Sequence, residues 1–233
     1  MQKIRVIGVP RSGTNLAKYL LESHTDFRCY FNDGWWKHAV IPALYEGREP
    51  KLDPTPTVVM FRDPVAQMIA FFRFSEKGRR AIYGDATGNG LGYFLRSPVH
   101  TDAPRGFRYR FPTPIAYWEQ FYWAALQWEA PAKFFVSLDA LKQDPSLLMR
   151  LARRLNPRLE AVANLQLPGK YLGRNGDVHV SEGFVFEENT SREIEDAEAQ
   201  ALKEWMQPGD LERIQAAEVT RLYGMLQEKQ FDV

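Results

Sequence analysis

The chain has 233 residues, 45% apolar and 25% charged, with a net charge of +1. That length suits one domain with a sizeable core, and that balance excludes a disordered or fibrous chain. A charge so near zero excludes a global electrostatic pull toward nucleic acid or membrane and leaves only local preferences. Basic residues outnumber acidic ones between Arg73 and Arg110, whereas the stretch from Glu182 onward is acidic. Cys29 has no second cysteine to pair with, so no internal disulfide staples the chain and a reducing compartment fits. The residues after Met1 lack the pattern of a secretory leader, and no window approaches the roughly 20 apolar residues of a membrane span. A cytoplasmic protein without an integral membrane segment is expected.

In chain order, Ile4 to Val9 reads as a short apolar strand, and Leu16, Tyr19 and Leu20 have the spacing of a helix face. Thr57 to Phe61 is a second β-branched and apolar run, with Asp63 as an N-cap and Pro64 at the first helical position. Val65, Met68, Ile69 and Phe72 then mark a helical stripe. The aromatic segment Ile115 to Trp128 predicts a packed helix. Lys133 to Leu138 predicts a third strand, followed by a helix opened by Pro145 and lined by Leu147, Leu148, Leu151 and Leu155. Thr190 with Glu193 resembles a capping box, and a last helix is expected from near Asp210. Gly78 to Pro112 is interrupted by glycines and rich in arginine, and predicts a long functional loop. Recurring strand and helix predict a single α/β domain over residues 1–233, with a central parallel sheet between helix layers and ligands at the carboxyl ends of its strands.

The segment from Gly8 to Asn15 lies between strand and helix, where backbone N–H groups and the positive helix end make an anion site. Its outline is that of the nucleotide-binding Walker A loop, but Thr14 and Asn15 replace the Lys-Ser/Thr pair that contacts the β/γ-phosphates and Mg²⁺. Arg11 lies inside the loop instead, where a guanidinium can grip a phosphate with two parallel hydrogen bonds.

The loop Pro10-Arg11-Ser12-Gly13-Thr14 resembles that of bacterial sulfotransferases that use 3′-phosphoadenosine 5′-phosphosulfate, PAPS, and release the bisphosphate PAP. The likeness continues through Leu16 to Asp26, with Thr25 in place of a proline. Val58 to Pro64 resembles the family's strand ending in an arginine, which makes Arg62 the expected ligand of the donor's 3′-phosphate. Ala70 stands where the family has a serine for the same phosphate, leaving Gln67, Arg73 and Ser75 as replacements at hand. Phe135 to Pro145 is similar to the family's Tyr-Glu-Asp-Leu segment, with Leu138 and Asp139 in place of the tyrosine and glutamate. Gly173 to Asp177 looks like part of the late donor loop, so Lys170 or Arg174 is a further candidate for that phosphate, and a solvated turn is the other reading.

The resemblance implies a P-loop-like nucleotide-binding fold and sulfuryl transfer to a hydroxyl or amine of a small-molecule or carbohydrate acceptor. Donor-binding residues are then Arg11, Ser12, Gly13, Thr14, Asn15, Arg62 and Arg174. Arg11 neutralises the leaving phosphate, and Ser12 either bridges the phosphosulfate or makes a simple loop hydrogen bond. The acceptor's proton needs a base. Of the histidines, His38 lies after the first helix, where the family places a catalytic His or Glu, and Asp33 is the reserve. His24, His100 and His179 fit that place less well. Lys37 either adds charge near the transferring group or faces solvent, and Trp35 and Trp36 either stack the nucleotide or anchor the core. The reaction requires no metal. The arginines between Gly78 and Arg110 predict an acidic acceptor. The alternatives are a P-loop kinase or NTPase, and a non-catalytic nucleotide-binding protein of the same fold.

Overall fold

The structure is a computed structural model that describes residues 2–30, 37–41, 54–76, 90–102, 108–130, 132–159 and 209–231. In chain order these form β1 (Gln2–Ile7), α1 (Thr14–His24), β2 (Phe27–Tyr30), β3 (Thr57–Phe61), α2 (Pro64–Glu76), α3 (Leu91–Arg96), β4 (Val99–Asp102) and β5 (Arg108–Phe111). There follow α4 (Pro114–Gln127), β6 (Lys133–Ser137), α5 (Leu138–Gln143), α6 (Leu147–Leu155), α7 (Asp210–Ile214) and α8 (Ala217–Glu228). Among the described residues no helix is long and apolar enough to cross a membrane.

β2, β1, β3 and β6 form one sheet in that order, every neighbouring pair parallel. Successive side chains on a strand face opposite ways, and the apolar residues divide accordingly. Ile4, Val6, Val58, Met60 and Val136 join Leu16 and Leu20 of α1 and Leu148 and Leu151 of α6 in one cluster. Ile7, Val59, Phe61 and Phe135 join the other, with side chains of α2, α3, α4 and α8. Burial on both faces is why Thr57–Phe61 is continuously buried rather than alternating. The expected α/β class with helices over both faces of a parallel sheet is what the chain adopts.

Local chemistry sets the helix starts. Asp63 accepts the Ala66 N–H at 2.9 Å, and Thr113 accepts that of Ala116 at 3.1 Å. Ser137 Oγ caps α5 by accepting from Asp139 at 3.2 Å and Ala140 at 3.4 Å. α4 carries the aromatic core, with Tyr117, Trp118, Phe121 and Tyr122 all buried. After α8 the chain returns to the sheet, where the Phe231 N–H bonds Phe135 O at 2.7 Å.

Two expectations are corrected. β2 was not anticipated, because a four-residue strand that alternates buried and open positions carries too short a signal. The segment from Gly78 to Pro112 is not one long loop. Its described part holds α3 and the antiparallel pair β4–β5. Leu91, Phe94 and Leu95 have helical spacing and are fully buried, with Phe94 at 5.3 Å from Phe71 and 5.6 Å from Phe72 by ring centroids. Glycines at Gly90 and Gly92 hid a helix that tertiary burial stabilises. The Thr190–Glu193 box lies outside the described residues.

Phe94→Ala tests this anchoring. A buried aromatic truncated to alanine costs about 3–5 kcal/mol, whereas a change in a solvated loop stays within about 0.5 kcal/mol. Urea denaturation of the variant is expected to show the larger loss.

Candidate functional site

The chain leaves β1 toward β2 on one side of the sheet, while β3 lies on the other. The crevice between the carboxyl ends of β1 and β3 is therefore a topological switch point, the place where such sheets bind ligands. The loop from Gly8 to Gly13 occupies it.

Two glycines shape this loop. A Cβ on Gly8 would lie 2.5 Å from Met60 O and overlap Ser12 Oγ, so the loop starts flush against β3. Gly13 has φ 94°, and a Cβ there would lie 2.6 Å from Leu138 Cδ1 at the start of α5. Between them the Ser12 N–H bonds Val9 O at 3.2 Å, closing a tight turn. The Gln67 Nε2 of α2 donates to Pro10 O. Arg11, exposed at the tip, has φ 71°, a left-handed conformation rare outside glycine.

α1 then begins with Gly13 as its N-cap and no side-chain capping bond. Its first N–H groups keep their attraction for an anion. Thr14 is buried and Asn15 half-buried. Lys37 Nζ donates to Asn15 Oδ1 at 2.5 Å, bringing an ammonium to the start of this helix.

Residues 37–38 are tied to the loop itself. The Gly8 N–H bonds Lys37 O at 3.1 Å, and His38 Nδ1 lies 2.5 Å from Gly8 O. A carbonyl only accepts, so Nδ1 is the donor in this contact, which selects the tautomer with its lone pair on Nε2. His38 is buried, and its own carbonyl accepts the Tyr117 hydroxyl of α4. Tyr122, four residues on from Trp118, donates to Met60 O at 2.8 Å. Burial pushes the Tyr122 phenol well above its ordinary value.

Ser12 is turned inward. It is fully buried, its Oγ faces Gly8, and its N–H is already bonded to Val9. Tyr122 lies close by, with its own proton on Met60 O, so its phenol oxygen is left to face the Ser12 hydroxyl. Of the two readings of Ser12, a bridge to the phosphosulfate or a hydrogen bond within the loop, the inward-facing hydroxyl suits the second, since it fills the space that the absent Cβ of Gly8 leaves.

Arg62 follows β3 and is buried, with Nε 3.9 Å from Asp139 Oδ1. Tyr223 of α8 packs edge-on against Phe61 at 6.1 Å. Its phenol is pushed up to about 12, by burial first and then by the charges of Asp63 and Asp139. The end of β3 thus gathers one guanidinium, two carboxylates and a neutral phenol.

The structure brings Arg11, Ser12, Gly13, Thr14, Asn15, Lys37 and His38 together, with Arg62 one strand away. It does not bring His24, which ends α1 far from the loop, and His100 sits on the separate β4–β5 pair. Asp33, Trp35, Trp36, Lys170, Arg174 and His179 lie outside the described residues. Gln67 was expected at most as a phosphate ligand, yet it is fully buried and bonded to the loop. Its signal was an amide inside the apolar run from Val65 to Phe72. Tyr117 and Tyr122 were read as core, and their hydroxyl contacts leave no mark on the sequence. Comparison with protein-family models, curated proteins and solved structures finds no match to this chain.

The environment of Tyr223 sets an alkaline limit. An unfolded chain loses this phenol's proton near pH 10, whereas the folded chain keeps it until about pH 12. Between those values the folded state holds more protons, so stability falls as pH rises. Urea midpoints measured above about pH 9 are expected to decline less steeply in Tyr223→Phe than in wild type. Identical slopes would contradict the placement of Tyr223 beside Asp63 and Asp139.

Proposed function

We propose that this chain is a sulfotransferase with a P-loop-like nucleotide-binding fold, using PAPS as donor and a hydroxyl or amine of a small-molecule or carbohydrate acceptor. One observation carries the reading. An arginine in a left-handed conformation stands at the tip of a strand-to-helix loop whose helix is uncapped, and a buried histidine is fixed to the same loop through Gly8. The first part suits a leaving phosphate and the second an acceptor proton.

The residues fit the 5′ end of such a nucleotide better than its 3′ end. Arg11 and the N–H groups opening α1 would hold the 5′-phosphate, and Lys37 adds a charge beside Asn15. Arg62 is the described candidate for the 3′-phosphate, and it already faces Asp139. The donor supplies a sulfuryl group on a phosphate leaving group. His38 Nε2 takes the acceptor's proton as the new O–S or N–S bond forms and the S–O bond to phosphate breaks. The leaving electron pair ends on the phosphate, where Arg11 stabilises it.

A second reading rests on Lys37. Its ammonium reaches the start of α1, where nucleotide kinases use a loop lysine, so a nucleoside triphosphatase or kinase is the competing activity. Labelled PAPS with an acceptor panel separates the two. Transfer is expected in wild type, falling about 10²- to 10³-fold in Arg11→Ala and 10²- to 10⁴-fold in His38→Ala. PAP should still bind His38→Ala in calorimetry. Undiminished transfer in both variants would overturn the site. Mg²⁺-dependent ATP turnover lost in Lys37→Ala would favour the second reading, and PAP binding without transfer to any acceptor a non-catalytic role.

A further inference from the structure

Gln67 is a fully buried amide that reaches from α2 to the phosphate loop. Its Nε2 donates to Pro10 O, and its Oε1 is buried with no hydrogen-bond partner among the described residues. A buried acceptor without a donor is destabilising, and methionine would fill similar space without that penalty. The amide therefore contributes something other than packing.

Pro10 precedes Arg11, the residue held at φ 71°. A non-glycine residue keeps a left-handed conformation only where its surroundings over-determine it. The two sides of Arg11 are both tied: the Ser12 N–H to Val9 O at 3.2 Å, and Pro10 O to Gln67. A trans peptide unit is planar, and its C=O and N–H point opposite ways. Drawing Pro10 O inward to Gln67 thus turns the Arg11 N–H outward, toward the mouth of the loop.

We infer that Gln67 is a positioning residue, which fixes the Pro10–Arg11 peptide unit and so aims both the backbone N–H and the guanidinium of Arg11 at a bound phosphate. The inference rests on the phosphate-loop reading above for its ligand, but its geometry can be tested without one. Arg11→Gly and Arg11→Ala lose the same guanidinium, and only the alanine keeps a Cβ that left-handed backbone disfavours. In the wild-type background the glycine variant is expected to melt about 2–4 °C above the alanine variant. In the Gln67→Met background Arg11 is free to relax, and the difference should shrink toward zero, which is the coupling a double-mutant cycle reads. Gln67→Met alone is expected to weaken PAP binding about tenfold or more in calorimetry, with little change in Tm.

An equal glycine–alanine difference in both backgrounds would overturn the inference, whatever the ligand. If Gln67→Met does not fold, Gln67→Asn serves in the same cycle, since its amide is one methylene too short for Pro10. Should wild type give no heat with PAP while the cycle shows coupling, the donor assignment fails and the role of Gln67 stands. Heat with PAP and an uncoupled cycle would mean the reverse.

Discussion

Where β1 ends, Gly8 has no room for a side chain, because Met60 O and Ser12 Oγ fill the position its Cβ would take. That close approach brings the end of β1 onto β3 and leaves both polar groups of Gly8 facing residues 37–38. Its N–H goes to Lys37 O and its carbonyl to His38 Nδ1. One residue without a side chain therefore joins three parts of the chain: the phosphate loop, the neighbouring strand and the segment bearing the histidine. Any larger residue would separate them, and His38 would lose both its ring contact and its place beside the loop.

The tyrosines of α4 strengthen the same junction from the opposite helix layer. Tyr117 bonds His38 O and Tyr122 bonds Met60 O, from positions five apart on one helix. Both are buried among other rings, with Tyr117 at 4.7 Å from Phe111 and Tyr122 at 4.9 Å from Trp118. A buried hydroxyl must find a partner, and here each finds a backbone carbonyl at the crevice rather than in its own helix. The aromatic core thus does more than exclude water, since it fixes the carbonyls around which the loop is built.

How much of this was legible follows from the range of the interactions. Asp63 before Pro64 is a local signal, and α2 starts there, while α4 was read from its aromatic run beginning at Ile115 and starts one residue earlier, at Pro114. The strand–loop–helix of residues 2–24 was legible for the same reason. α3 was not, since its stability comes from Phe71 and Phe72 on another helix, and the glycines beside it point locally toward a loop. At the site, the sequence pointed to Arg11, Asn15, Lys37 and His38 but could not give their directions. Ser12 turns inward because of a vacancy at Gly8, and Gln67 turns toward Pro10 across 57 residues of sequence. No pattern of residue types encodes either orientation. Asp33 and Arg174 lie outside the described residues.

Arg62 illustrates how an arginine already facing an acid can still suit an anion. Its Nε is 3.9 Å from Asp139 Oδ1, beyond hydrogen-bond length, so that contact is Coulombic and not directional. The two partners are unequally exposed, with the Asp139 side chain at 42% and that of Arg62 at 7%. A carboxylate so open to water is screened and gains little from the pairing. A buried guanidinium, in contrast, is costly to leave without a counter-charge. Under the proposed function a phosphate of higher charge would compete with Asp139 for Arg62, and so exposed a carboxylate turns back to water at small cost. Asp139 stands next to Leu138, the side chain that closes on Gly13, so the acid facing Arg62 and the residue that seats the phosphate loop are neighbours at the start of α5.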